Sequence, residues 1–107
     1  DVSIVSCSDE ELLKYNRTYL DHDTFTDIIT FDNSNGMLLS GDLLISFERV
    51  MENAENEGVM FQEELRRVMV HGLLHLAGFK DKTPTDARNM RAAEDHALTM
   101  FHAEHRA

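Results

Sequence analysis

The sequence predicts an α+β fold, in which a small mixed β-sheet packs against helices. β-Branched or alternating apolar residues indicate strands at residues 1–7, 26–31 and 41–47. The nine residues between the second and third strands are rich in turn-forming types, and from about residue 46 onwards apolar residues recur at helical spacing. The 107 residues suffice for a single domain with one modest core.

The first strand is followed at once by a helix. Val2, Ile4 and Val5 give this strand its β-branched composition. Ser8 and Glu11 have the spacing of a capping box, in which a hydroxyl and a carboxylate accept hydrogen bonds from backbone N–H groups at a helix start. The sequence therefore predicts that a helix begins directly after Ser8.

The order of these elements predicts how the strands pair. A strand, a helix and a second strand indicate a parallel pair joined by a right-handed crossover. The nine-residue segment before residues 41–47 is too short for a crossover, so the third strand is expected to be antiparallel and to lie at an edge. The predicted sheet is a parallel pair plus an antiparallel edge strand.

Three helices are expected in the rest of the chain. Gly58 and Gly78 are placed to end the first two, because glycine readily adopts the left-handed conformation that follows a helix. Thr83 is predicted to cap the last helix, with Pro84 in its first turn. The expected bounds are residues 46–57, 61–77 and 84–104.

Composition excludes some classes of protein. No apolar run is long enough to cross a bilayer, and the single cysteine, Cys7, allows no internal disulfide, which favours a cytoplasmic location. The net charge of −10 argues against nonspecific nucleic-acid binding. Six of the ten basic residues nevertheless fall between positions 66 and 91, where they form either a locally basic area or ordinary solvated helix faces.

The pattern that indicates chemistry is H-x-x-x-H-x-x-G-x-x-D, from His71 to Asp81. His71 and His75 are one helical turn apart, so their imidazoles share a face and can share a metal ion. Gly78 can turn the chain back and bring Asp81 to the same ion. The arrangement matches a metzincin-like metal-binding helix with a carboxylate as third ligand. The competing interpretation is an incidental histidine pair followed by a polar turn.

Three protein ligands leave a coordination position open for water, which is typical of a catalytic site. Zinc peptidases carry a glutamate general base directly after the first histidine, and here that position is Gly72. Glu94 is a candidate catalytic helper, because it lies within the apolar stripe of the last helix and a carboxylate there needs a partner. It is otherwise expected to be partly exposed, or paired with Arg91 or Arg67.

Three segments of the chain resemble the YbeY family of rRNA maturation factors. HGLLHLAGFKD, at residues 71–81, is similar to the family signature H-G-x-L-H-L-x-G-Y-D-H. Residues 16–31 resemble the family block LNxxYRxKDxPTDVLSF, and residues 41–46 resemble the strand GDIxIS. With Met90 and Glu94 in the last helix, the resemblance covers nearly the whole chain.

The resemblance implies a metal-dependent endoribonuclease specific for single strands, with zinc as the expected ion and another divalent transition metal as the alternative. It also implies a role in maturing the 3′ end of small-subunit rRNA and in ribosome quality control. The implied partners are rRNA, the small ribosomal subunit and assembly factors. His71 and His75 match the family's first two metal ligands, and Asp81 stands in place of a third histidine.

Two departures from the family pattern matter. Leu20 stands where members often have an arginine that can hold a phosphate. Family members also begin with a further strand and helix, which this sequence is expected to lack. The single domain is accordingly predicted to span residues 1–107.

Three functions remain open at this point. In an endoribonuclease, Arg67, Lys80 or Lys82 would neutralise phosphate charge beside the ion, and the strand at residues 41–47 would form a wall of the cleft. In a non-catalytic ribosome-assembly module, a structural metal would only hold the last two helices together. A metallopeptidase is disfavoured by Gly72.

Overall fold

The computed structural model describes residues 1–20, 25–35 and 38–105. The elements within these ranges are β1 (Val2–Cys7), α1 (Asp9–Tyr19), β2 (Ile28–Asp32), β3 (Gly41–Ser46), α2 (Phe47–Glu57), α3 (Phe61–Leu76) and α4 (Pro84–His105). Their types and order confirm the predicted α+β class. Part of the family-like block at 16–31, namely residues 21–24, lies outside the described residues. Within the described residues, no helix combines the length and apolar character that a bilayer span requires.

The sheet is a parallel pair plus an antiparallel edge strand, as predicted, but the second and third strands exchange the roles predicted for them. The strand order is β1-β3-β2, with β1 parallel and β2 antiparallel to β3. The third strand is therefore central, and the antiparallel edge strand is β2. Burial explains why β3 is central. Leu43 and Ile45 are buried on one face of β3 and Leu44 on the other, and a strand with both faces buried lies inside a sheet.

The helix boundaries follow from local capping chemistry. The capping box is confirmed: the Glu11 N–H donates to Ser8 Oγ at 3.1 Å, and the Ser8 N–H donates to the Glu11 carboxylate at 3.0 Å. Ser46 caps α2 by accepting from the Arg49 N–H at 3.1 Å. Gly58 ends α2 with a φ of 70°, in the left-handed region that glycine tolerates.

Apolar side chains pack on both faces of the sheet. On one face α1 contributes Leu12, which packs with Ile29 and Leu44. On the other face α2 and α3 cover β3 with a larger cluster, made of Leu43, Ile45, Val50, Val68 and Leu76. Helix α3 is therefore pressed against the sheet beside β2, and this placement positions the residues of the predicted metal site.

Gly72 is the point of closest approach between α3 and the sheet. A Cβ atom added there would lie 2.8 Å from Ile28 Cδ1 and 2.8 Å from Leu43 Cδ2. The position that holds a glutamate in zinc peptidases thus faces the core of this protein. A side chain at this position would require the Ile28 and Leu43 side chains to shift.

We expect Gly72→Ala to destabilise the protein by about 1–3 kcal/mol, because the methyl group overpacks the contact between helix and sheet. Urea unfolding followed by circular dichroism measures the change. Leu73→Ala is the matched control, since Leu73 is the next residue of α3 and is 39% exposed. Wild-type stability of Gly72→Ala would show that the interface relaxes around an extra methyl.

Glu64 is a buried acid of α3 that lies among other charged groups. Burial and a hydrogen bond with Glu57, together with the charges of Glu57 and Asp27, raise its pKa to about 7, while Arg67 acts in the opposite direction. Near neutral pH the folded protein therefore holds a proton on Glu64 that the unfolded chain has already released.

This proton gives a pH dependence of stability with a definite sign. Because the pKa of Glu64 is higher in the folded state, the free energy of unfolding should fall as pH rises from about 4.5 towards 7 and should level off above that range. Glu64→Gln, which cannot ionise, should flatten this part of the curve in urea unfolding measured at several pH values. An equally steep fall in the variant would assign the dependence to other groups.

Candidate functional site

The two histidines of the motif and Asp81 converge at the end of α3. His71 Nε2 lies 3.2 Å from Asp81 Oδ2, and His75 Nε2 lies 3.3 Å from the same oxygen. The ligand atoms all lie within 4.8 Å of one another. The structure thus brings together the three residues that the sequence nominated as metal ligands.

The turn after α3 delivers Asp81 to the histidines. Gly78 has a φ of 103°, in the left-handed region, and its N–H donates to the His75 carbonyl at 3.0 Å. The Phe79 N–H donates to the Leu74 carbonyl at 3.0 Å, which completes the reversal of the chain. The prediction that Gly78 follows the helix end and turns the chain back is confirmed.

Hydrogen bonds select which nitrogen each imidazole presents to the site. His71 Nδ1 donates to Glu94 Oε2 at 2.5 Å, and His75 Nδ1 donates to the Phe79 carbonyl at 3.0 Å. With both Nδ1 atoms occupied as donors, the Nε2 atoms are the ones available as ligands. Both Nε2 atoms face Asp81.

Glu94 of α4 is 4% exposed and uses both of its oxygens. Oε1 accepts from Arg67 at 2.9 Å, and Oε2 accepts from His71. Burial alone would raise the pKa of Glu94, but the hydrogen bonds with His71 and Arg67 outweigh it and lower the pKa below its ordinary value. The same hydrogen bond raises the pKa of His71. Glu94 is therefore a buried carboxylate that orients His71.

The three cations proposed to contact phosphate lie in different places. Lys82 lines a cavity of about 520 Å³ together with His71, His75 and Asp81. Lys80 lines a separate cavity between the turn at Gly78 and the start of α4. The Arg67 guanidinium is paired with Glu94 and with Asp95, to which it donates at 2.7 Å. Only Lys82 among the three shares the cavity with the ligand cluster.

Strand β2 forms the wall of this cavity, although the sequence had suggested the third strand for that role. Residues 26–30 and Asp32 line it opposite the histidines. Sequence reasoning also assigned no role to Asp27, a partly buried carboxylate beside the site whose pKa is raised mainly by burial. The sequence feature that could have indicated a role for Asp27 is its position directly before an apolar strand.

The donor set has the chemistry and spacing of a metal site. Two imidazole nitrogens and one carboxylate oxygen form a common ligand set for zinc in open sites. Tetrahedral ligands at zinc distances lie roughly 3.3 Å apart. The distances from the Nε2 atoms to Asp81 Oδ2, 3.2 and 3.3 Å, agree with that spacing. His71, His75 and Asp81 could therefore hold a divalent ion.

Metal binding should depend on these residues to different degrees. We expect Asp81→Asn to lower zinc affinity by more than 100-fold, because a charged ligand is lost, and Glu94→Gln to lower it by about 10- to 100-fold through His71. Competition with a chromophoric chelator measures both affinities. Asp86→Asn, which removes a carboxylate outside the cluster, should bind zinc like wild type. Unchanged affinity in Asp81→Asn would remove Asp81 from the ligand set.

The fold and the site together define a class of protein: a small α+β protein whose helix and following turn bring together two histidines and an aspartate that could hold a metal ion beside an open cavity. The family model for endoribonuclease YbeY matches residues 1–102. The chain belongs to this family.

Similar proteins cover nearly all of the chain. It is 52% identical over 104 residues to the endoribonuclease YbeY of Christiangramia forsetii, covering 97% of this chain and 73% of that protein. It is 50% identical to the endoribonuclease YbeY of Flavobacterium johnsoniae, with coverages of 97% and 75%. The solution structure of TM1509 from Thermotoga maritima matches with a TM-score of 0.56 at 23% identity, covering 96% of this chain and 71% of that one, and supports the fold.

Proposed function

We propose that this protein is a metal-dependent endoribonuclease that hydrolyses single-stranded RNA, with one zinc ion held by His71, His75 and Asp81. Another divalent transition metal is the alternative ion. The observation that carries the proposal is the convergence of two Nε2 atoms and one carboxylate oxygen beside an open cavity. Membership of the endoribonuclease YbeY family supplies the substrate class.

The residues of the site would divide the work between them. A bound divalent ion supplies Lewis-acid chemistry, which acidifies water and polarises a phosphoryl oxygen. Glu94 keeps the proton of His71 on Nδ1 and so holds the ring in orientation for ligation. Arg67 in turn holds Glu94, and its pairing with Glu94 and Asp95 makes it a positioning residue.

Lys82 is the proposed contact for the phosphate nearest the ion, because it shares the cavity with the ligand cluster. Its ammonium group would offset charge that develops on the phosphodiester during hydrolysis. Lys80 lies outside this cavity and would at most contact a neighbouring phosphate. Leu20 also lines the cavity but carries no charge, so this role would fall to Lys82.

The biological setting is proposed from the family resemblance. We infer a cytoplasmic role in maturing the 3′ end of small-subunit rRNA and in ribosome quality control. The partners would be rRNA, the small ribosomal subunit and its assembly factors.

A structural metal without catalysis is the second candidate, because one feature favours it. The His71–Glu94 contact joins α3 to α4, so an ion on His71 would also stabilise the packing of these two helices. In that case metal removal would lower the melting temperature, and RNA cleavage would be absent under all metal conditions.

Cleavage of a labelled single-stranded oligoribonucleotide tests the proposal directly. Zinc-loaded wild type should cut it, whereas His71→Ala and chelator-treated wild type should lose at least about 100-fold in rate, because the ion supplies the main activation. The same strand annealed to its complement should be cut far more slowly. Asp86→Asn is the matched control. Equal cleavage by His71→Ala and wild type, purified in parallel, would show a contaminating nuclease.

A further inference from the structure

Three aromatic rings form a compact cluster outside the metal site, which we name the aromatic platform: Tyr15, Tyr19 and Phe31. The Tyr15 and Tyr19 rings of α1 stack with centroids 5.8 Å apart and planes inclined by 23°. Phe31 of β2 packs its ring edge-on against both, at 6.0 Å and 5.9 Å. Phe31 therefore contacts both tyrosine rings.

The platform presents much of its area to solvent. Tyr19 is 64% exposed and Tyr15 is 37% exposed, whereas Phe31 is partly buried against the core cluster of α1. A tyrosine with two thirds of its surface exposed contributes little to the core. An exposed aromatic face is a suitable surface for stacking of another flat ring.

The platform adjoins the cavity of the candidate site along the free edge of β2. Phe31 points to the α1 face of this edge strand, and Thr30 and Asp32 point to the other face, which the cavity occupies. Leu20, the residue after Tyr19, lines that cavity, and so does Ile29 of the apolar cluster against which Phe31 packs. Strand β2 therefore supports the platform and also forms the cavity wall opposite His71 and His75.

We propose that the aromatic platform binds an unpaired nucleobase of the RNA strand whose phosphate lies in the metal-site cavity. This inference rests on the proposed function. Stacking of a base on an aromatic side chain tolerates any base, because every base has a flat π-face. It also selects for single strands, since the faces of paired bases in a duplex are already covered by their neighbours.

The charge of the protein supports a role for stacking. The chain carries a net charge of −10, and among the described residues Lys82 is the one lysine or arginine that lines the cavity. Phosphate attraction is therefore weak compared with that of basic nucleases, and RNA affinity needs a contribution that does not depend on charge. Stacked bases supply such a contribution, so the salt dependence of binding should be shallow.

The sequence provides a built-in probe for this contact. The chain contains two tyrosines and no tryptophan, so intrinsic fluorescence arises from Tyr15 and Tyr19 alone. A base stacked on the platform should quench that emission. Titration of metal-free protein with a short uridine oligomer reports stacking without cleavage, and free N-acetyltyrosinamide corrects for absorption by the RNA. An abasic ribose-phosphate oligomer should cause no quenching.

Single substitutions show which tyrosine ring is quenched and whether RNA affinity depends on the aromatic face or only on apolar bulk. Tyr15→Phe leaves Tyr19 as the sole emitter and should still be quenched. Tyr19→Phe should keep wild-type RNA affinity, and Tyr19→Leu should weaken it by about 5- to 100-fold, because it keeps apolar bulk and loses the π-face. Phe47→Leu is the matched control, since Phe47 is also partly exposed, packs on Phe61 and does not line the cavity.

Fluorescence anisotropy of a labelled uridine oligomer measures RNA binding independently. Binding without tyrosine quenching, or with wild-type affinity in Tyr19→Leu, would overturn the platform and leave the nuclease proposal intact. Absence of both binding and cleavage by the metal-loaded protein would overturn the nuclease proposal and the platform with it. Quenching without cleavage would support the platform and count against the enzyme.

Discussion

The direct contact of α3 with the sheet at Gly72 is the constraint on which the site depends. With no side chain at this position, the helix approaches Ile28 and Leu43 closely, and this approach fixes the helix beside β2. His71 and His75 then project from the helix towards the cavity that β2 lines. The same packing crowds the position next to the first histidine, where zinc peptidases carry a glutamate as proton acceptor.

The contacts of Glu94 with Arg67 and His71 then fix the orientation of the His71 ring. Glu94 is almost fully buried, which is unfavourable for a carboxylate unless it is paired and hydrogen-bonded. Arg67 pairs with the carboxylate and donates a hydrogen bond to Oε1, and His71 donates a hydrogen bond to Oε2. The pair linking α3 and α4 therefore serves packing and ligand orientation together, and loss of Glu94 would leave Arg67 without its most buried partner.

Much of the fold and of the site follows from local sequence. Capping residues, turn glycines and periodicity located the helices and strands, and the motif spacing located His71, His75 and Asp81, because these features depend on neighbours in the chain. The second and third strands were assigned to the wrong positions in the sheet, because the central position depends on which strand buries both faces. Leu44 faces α1, while Leu43 and Ile45 face α3. Asp27 was missed for the same reason, since its proximity to His71 arises only when β2 and α3 pack.

Asp81 has a consequence for the charge balance of the ligand set. Three neutral imidazoles would leave the full double charge of a divalent ion, whereas two imidazoles and a carboxylate leave a single net positive charge. An ion with less residual charge attracts a phosphodiester less strongly and acidifies water less. A carboxylate ligand would also widen the choice of ions towards harder metals such as manganese. With Asp81 as third ligand, the site would exchange some electrophilic strength for a broader range of usable metals.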